Sequence, residues 1–280
     1  MKEFISWWQY FPEYLNPVAF KIGVIQVRYY GLMYLAAFLT VYLLVLYRLN
    51  KEKTGFSKAV IDDYFLWVIC ALLIGGRLGY VLFYDLPYYL KHPLEAILPF
   101  DINNGFQYIG LYGMSYHGAL IAIIIASVFF CRKHKLNFWL LSDLLSPAVP
   151  LGYTFGRLGN FINGELYGRI TKVAWGMYFP LDPTAQLRHP SQLYEALFEG
   201  IFLFIILWSL RKKVWASGRL FSLYLAGYGG IRFCLEFFRQ PDPQLGFVFG
   251  PFTMGQVLCF AMILSGLVIF AMRMPMPQRR

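Results

Sequence analysis

The sequence predicts an all-α polytopic membrane protein of about seven transmembrane helices, with its N-terminus external and its C-terminus cytoplasmic. Three observations carry that expectation. The 280 residues are 58% hydrophobic and only 14% charged, against about 25% charged in soluble domains, and the mean hydropathy is +0.51. Several runs almost free of charge approach the roughly 20 residues a helix needs to cross a bilayer core. Basic residues cluster just beyond those runs, as membrane topology requires. A net charge of +10 would otherwise suggest nucleic acid; its placement argues against that partner.

Residues 1–29 read as an interfacial segment, with Trp7, Trp8, Tyr10 and Phe11 suited to the outer headgroup layer. Lys2 and Glu3 lead into aromatic and polar residues rather than the apolar stretch of a cleavable signal. Residues 30–272 form the expected transmembrane domain, and 273–280 a basic cytoplasmic tail. The first span runs from about Tyr30 to Tyr47, the second from about Tyr64 to Tyr84 and the third from near His117 to Cys131. The fourth, about Phe138 to Gly156, contains Asp143, Pro147 and Pro150, which predicts a kink or a re-entrant path. The fifth covers Gln192 to Leu210, the sixth Leu220 to Phe238 and the seventh Phe252 to Met272. Arg48, Lys51 and Lys53, then Arg132, Lys133 and Lys135, then Arg211, Lys212 and Lys213, and finally Arg273, Arg279 and Arg280 follow the odd-numbered spans. That asymmetry sets the orientation. Cys70, Cys131, Cys234 and Cys259 lie in or beside apolar stretches and read as buried small hydrophobes, without metal or redox spacing.

Charges inside spans are costly and each needs a reason. Arg77 sits in Gly75-Gly76-Arg77-Leu78-Gly79, where small residues admit a neighbouring helix. Arg232 and Glu236 are four apart, as are Glu195 and Glu199, so each pair shares a helix face. Internal pairing accounts for Glu199 and Arg77. The densest polar segment is Gly156-Arg157-Leu158-Gly159-Asn160-Phe161-Ile162-Asn163-Gly164-Glu165-Leu166-Tyr167-Gly168-Arg169. A capped loop explains its asparagines and glycines, but Arg157, near hydrocarbon and with no partner beside it in sequence, does not fit that account. A guanidinium there suits a lipid phosphate, which it can grip through two parallel hydrogen bonds.

This segment resembles the GRxGNFxNxExxG motif of prolipoprotein diacylglyceryl transferases. The same family is echoed at Tyr29–Tyr34, at Gly113–Gly118, at Arg188–Glu195 and from Arg232 through Asp242. Tyr116 stands where phenylalanine is expected and Ala119 where a second glycine is common; neither change removes a functional group. The resemblance implies an enzyme of the bacterial inner membrane, its active site toward the external half. It would move a diacylglyceryl group from phosphatidylglycerol to the lipobox cysteine of a prolipoprotein. The products would be a thioether and glycerol phosphate, and no metal or organic cofactor is implied.

On that resemblance Arg157 and Arg232 bind the phosphate and stabilise the leaving group, and His117 is the candidate base for the thiol or else positions the donor. Tyr30, Asn160, Glu165 and Gly168 bind the headgroup or order the loop, and Glu236 orients Arg232. Arg239 is a weaker phosphate ligand that interfacial snorkelling would equally explain. A transporter for an anionic lipid shares the buried charges and the broken span, but the chain shows no internal duplication. A non-catalytic scaffold leaves the motif's arginines and asparagines without a task.

Overall fold

The computed structural model describes residues 2–23, 25–83, 86–95, 100–101, 107–108, 113–213, 216–241 and 247–273. Most of the tail expected at 273–280, Asp242, and parts of the connections at 86–116 and 240–251 lie outside the described residues. The chain divides into two compact units, Met1–Glu52 with Ser142–Arg280, and Lys53–Leu141.

The first unit opens with α1 (Lys2–Tyr10), a 3-10 turn (Phe11–Tyr14) and a hairpin of β1 (Val18–Ile22) and β2 (Ile25–Arg28). Helix α2 (Tyr29–Lys51) follows, its 23 residues spanning about 35 Å at 1.5 Å per residue. In the second unit, α3 (Lys58–Phe83), the short α4 (Leu86–Lys91), a minimal hairpin of β3 (Phe100–Asp101) and β4 (Gln107–Tyr108), and α5 (Tyr116–Lys133) precede the start of α6 (Phe138–Leu145). The first unit resumes with α7 (Val149–Ile162), α8 (Ser191–Glu195), a π-helical turn (Ala196–Phe202), α9 (Leu203–Leu210) and α10 (Arg219–Leu235). A last hairpin of β5 (Phe247–Phe249) and β6 (Phe252–Thr253) leads into α11 (Met254–Met272). The described residues are therefore mostly helical, and among them lie three small antiparallel strand pairs that the purely helical expectation did not include.

Among the described residues, four helices are long and apolar enough to cross a membrane: Tyr29–Lys51, Lys58–Phe83, Ser191–Leu210 and Met254–Met272. The other expected positions are helical but shorter or broken, at α5, at α6 with α7, and at α10. The break in span four falls where Pro147 and Pro150 require it. Helix α6 ends at Leu145 and α7 restarts at Val149, with Pro150 in the first turn, where a missing N–H costs nothing.

Beside buried apolar residues such as Val45, Ile61 and Phe130, the structure exposes large apolar groups and buries charged ones. Leu35, Leu66 and Ile74 are 66%, 60% and 59% exposed, while Gln192, Glu195, Glu199 and Gln256 are at most 1% exposed. Exposed large apolar side chains and inward-turned, paired charges are what a hydrocarbon solvent favours. The same logic corrects the reading of the cysteines. Cys131 and Cys259 are buried, but Cys70 and Cys234 are exposed, because an apolar residue on a membrane helix can face lipid as readily as protein.

Helix ends are held by specific groups. The Asp143 carboxylate of α6 accepts from Gly218 N at 2.6 Å and Phe221 N at 2.8 Å, closing the start of α10. Arg48 donates to the Asp143 and Leu144 carbonyls at 2.9 and 2.6 Å, and Glu52 bridges Arg48 and Arg211. Thr253 and Gln256 form a reciprocal capping box at the start of α11. In the second unit, α3 and α5 meet backbone to backbone: a Cβ on Gly118 would come 2.4 Å from Gly75 O. Arg77 there donates to Glu95 O at 2.5 Å and lies over the Tyr89 ring, which fits its structural reading.

Candidate active site

Helix α7 carries Tyr153, Arg157 and Asn160 at spacings of four and three, so all three project from one face. Arg157 Nε donates to the Tyr153 hydroxyl at 2.6 Å and lies 2.8 Å from Glu195 Oε2. Its guanidinium stands 4.7 Å above the Tyr153 ring centroid, and Nη1 reaches Asn160 Oδ1 at 3.3 Å. This corrects the expectation that Arg157 has no partner. The partner lies 38 positions further along the chain, on a helix that packs beside α7.

Glu195 ends α8 and Glu199 lies in the π turn, and both are buried. Arg232 of α10 places Nη1 at 2.9 Å from Glu195 Oε1 and 3.6 Å from Glu199 Oε1, and Nη2 at 2.7 Å from Glu236 Oε2. Thr253 donates to the other Glu236 oxygen at 3.1 Å. Glu236 thus orients Arg232 from one helical turn away, as its spacing predicts. Arg239 Nη1 lies 3.6 Å from Glu195 Oε1 with its side chain 11% exposed, so it turns inward and does not snorkel.

Glu195 is the hub of this arrangement, contacted by Arg157, Arg232 and Arg239. The three arginines face the carboxylates of Glu195, Glu199 and Glu236, a balance that offsets the desolvation of each charge. The Glu195 contacts satisfy charge but not hydrogen-bond direction: both its oxygens, and Arg232 Nη1, lack an aligned partner among the described residues. Arg157 and Arg232 keep 16% and 13% side-chain exposure. Two convergent cations with donor capacity in a low-dielectric setting can grip a phosphate and stabilise charge that develops on it.

The rest of the motif builds the adjoining loop. Asn160 Nδ2 and Asn163 Nδ2 both donate to Glu165 Oε1, at 2.8 and 3.4 Å, and Gln192 Nε2 donates to Glu165 O at 2.7 Å. Gly164 turns the chain at φ +70°, a conformation glycine adopts without strain. Gly168 donates its N–H to His189 O, and a Cβ there would meet Phe238 O at 2.5 Å, so no larger residue fits. Tyr30, in the first turn of α2, lies against Gly159, next to Asn160. Tyr30, Asn160, Glu165, Gly168, Arg157, Arg232, Glu236 and Arg239 therefore all belong to the first unit. His117 belongs to the second, exposed in the first turn of α5.

Sequence reasoning saw Glu195 and Glu199 as a pair but did not place them in the site, and it passed over Tyr153. The available signal was position: Tyr153 precedes Arg157 by one turn, and the two glutamates are the acidic residues of their span.

An ion pair secures the loop. Arg188 Nε and Nη2 engage Asp182 Oδ2 and Oδ1 at 2.7 and 2.9 Å, and Arg188 Nη1 reaches Gln240 Oε1 at 3.2 Å. Burial alone would raise the Asp182 carboxyl, but hydrogen bonds from Arg188 and Thr184 hold it at about 2. A depressed folded value means that this stabilisation is complete above the unfolded value near 4 and fades as pH falls from about 4 toward 2. Asp182→Asn should cost about 1–3 kcal/mol locally and speed amide hydrogen exchange across residues 165–190 at pH 7. Unchanged exchange there would show that the pair does not hold the loop.

The chain matches the family model of prolipoprotein diacylglyceryl transferase over residues 17–272. It is 56% identical over 270 residues to the phosphatidylglycerol–prolipoprotein diacylglyceryl transferase of Chlorobaculum tepidum, covering 96% of this chain and 93% of that protein. It is 45% identical over 265 residues to the Wolinella succinogenes protein of the same name, covering 94% and 95%. The Geobacter sulfurreducens protein is 44% identical over 259 residues, covering 92% and 95%. With the family model covering residues 17–272 and relatives of 44–56% identity matched over more than nine-tenths of their length, the chain belongs to the prolipoprotein diacylglyceryl transferase family.

Proposed function

We propose that this protein transfers the diacylglyceryl group of phosphatidylglycerol to the lipobox cysteine thiol of a prolipoprotein, the first step of bacterial lipoprotein maturation. The observation that carries the reading is 56% identity, over 96% of the chain, to a protein named for that transfer. The thiol sulfur displaces the phosphate at the glycerol carbon, so a C–S bond forms as the C–O bond breaks. The electron pair leaves on glycerol phosphate, and the thiol proton passes to a base. Arg157 and Arg232 bind the phosphate and offset the charge it gains. Glu195 and Glu236 set the orientation of those guanidinium groups, and Arg239 beside Glu195 is a weaker ligand of the same phosphate. Tyr30, Asn160, Glu165 and Gly168 shape the loop that receives the headgroup.

His117 takes the thiol proton, since an imidazole ring nitrogen can accept a proton from a thiol and later release it. His117→Asn should then slow turnover by about 10²–10⁴-fold, the usual share of general base catalysis. Turnover within a few-fold of wild type in that variant would exclude the base role.

Seven spans orient the chain in the inner membrane with its N-terminus periplasmic, its basic tail cytoplasmic and its active site in the outer half. Residues 30–272 form the transmembrane domain. The reaction is tested by incubating the purified protein with phosphatidylglycerol and a lipobox peptide and weighing the peptide. A diacylglyceryl gain on cysteine with release of glycerol phosphate is expected; an unmodified peptide with folded protein would reject the transferase reading.

A further inference from the structure

We propose that Tyr153 is a positioning residue for the transfer, acting through Arg157; the proposal rests on the reading above. An arginine side chain has four rotatable torsions, so its usefulness toward a phosphate depends on what holds its fork. Here the Tyr153 hydroxyl works in both directions. It accepts from Arg157 Nε at 2.6 Å and donates to Glu199 Oε2. The phenol ring lies under the same guanidinium and meets the Tyr228 ring edge-on at 5.6 Å.

The bond to Glu199 requires α7 and the π turn to come unusually close, and the neighbouring residues permit it. Gly200 follows Glu199, and a Cβ on Gly200 would lie 2.0 Å from Thr154 Oγ1. Thr154 in turn donates to Ala196 O at 3.3 Å. Tyr153-Thr154 on one helix therefore meets Glu199-Gly200 within the π turn of the other. Glu199 is fully buried, so the carboxylate pins the phenol, and the phenol pins Nε. With Nε and one ring face engaged, and one Nη1 proton directed at Asn160, the remaining terminal N–H groups form the edge that can meet a ligand.

Tyr153→Phe keeps the ring and its contact with the guanidinium but removes both hydrogen bonds. The expected result is a kcat about tenfold below wild type with KM for phosphatidylglycerol within about twofold, because misaligned charge is felt as the leaving group develops rather than on binding. A general structural defect would instead lower the amount of active enzyme and the thermal midpoint together. Installing 3-fluorotyrosine at 153 retains the fold while weakening the hydroxyl as an acceptor, and kcat should fall about twofold with the midpoint unchanged. Wild-type kcat in Tyr153→Phe, or in the fluorotyrosine protein should Tyr153→Phe not fold, would overturn the positioning role alone. Failure of the wild-type protein to modify the peptide would overturn the transfer reading, and this proposal with it.

Discussion

Arg157→Lys should lower turnover by about 10²–10³-fold, the effect of removing one donor aimed at developing charge, while the protein stays folded. The structure explains why both halves of that result are expected. The inner contact of Arg157 is with Glu195 Oε2 at 2.8 Å, and a lysine ammonium can occupy the same place and preserve the buried charge balance. What lysine cannot do is satisfy Glu195 and Tyr153 through Nε while presenting a planar pair of donors beyond. The loss should therefore fall on kcat, measured by glycerol phosphate release, with helical content and thermal midpoint near wild type. Turnover within a few-fold of wild type would remove Arg157 from the group that stabilises the leaving phosphate.

The largest effect on stability should come from Glu195→Gln. The substitution conserves shape but removes the negative charge around which Arg157, Arg232 and Arg239 converge. Breaking a buried pair from one side costs about 3–5 kcal/mol, because the remaining charges stay desolvated and uncompensated. Glu195 is 1% exposed, so water cannot relieve that cost without opening the bundle. In lipid nanodiscs the thermal midpoint should fall by roughly 10 °C, with activity lost alongside. A midpoint within about 2 °C of wild type would mean that Glu199 and Glu236 already suffice to balance the arginines.

These two outcomes separate the role of the motif arginine on α7 from that of its carboxylate partner on α8. Arg157 is expected to matter for rate at nearly constant stability, Glu195 for both. The difference follows from geometry: Arg157 keeps 16% of its side chain accessible while Glu195 keeps 1%. The Glu52 bridge between Arg48 and Arg211 shows the same economy at the far ends of α2 and α9. Residues read from sequence only as orientation signals also tie helix ends together there.

What was legible in the sequence was whatever is local along the chain. Membrane character followed from hydropathy, the break in span four from Pro147 and Pro150, and the contact of Arg232 with Glu236 from a spacing of four. The GRxGNFxNxExxG segment identified the family because its chemistry is concentrated in consecutive residues. The tertiary structure decided how α7, α8 with its π turn, and α10 are rotated about their axes. That rotation gave Arg157 the partner its neighbourhood lacked, drew Arg239 inward, and made Glu195 the centre of three ion pairs. The tertiary structure also left Cys70 on α3 and Cys234 on α10 exposed. Hydropathy cannot supply such rotations, because in hydrocarbon an apolar side chain is equally at home facing lipid or protein. Only the costly pairing of charges from distant helices selects the face that turns inward.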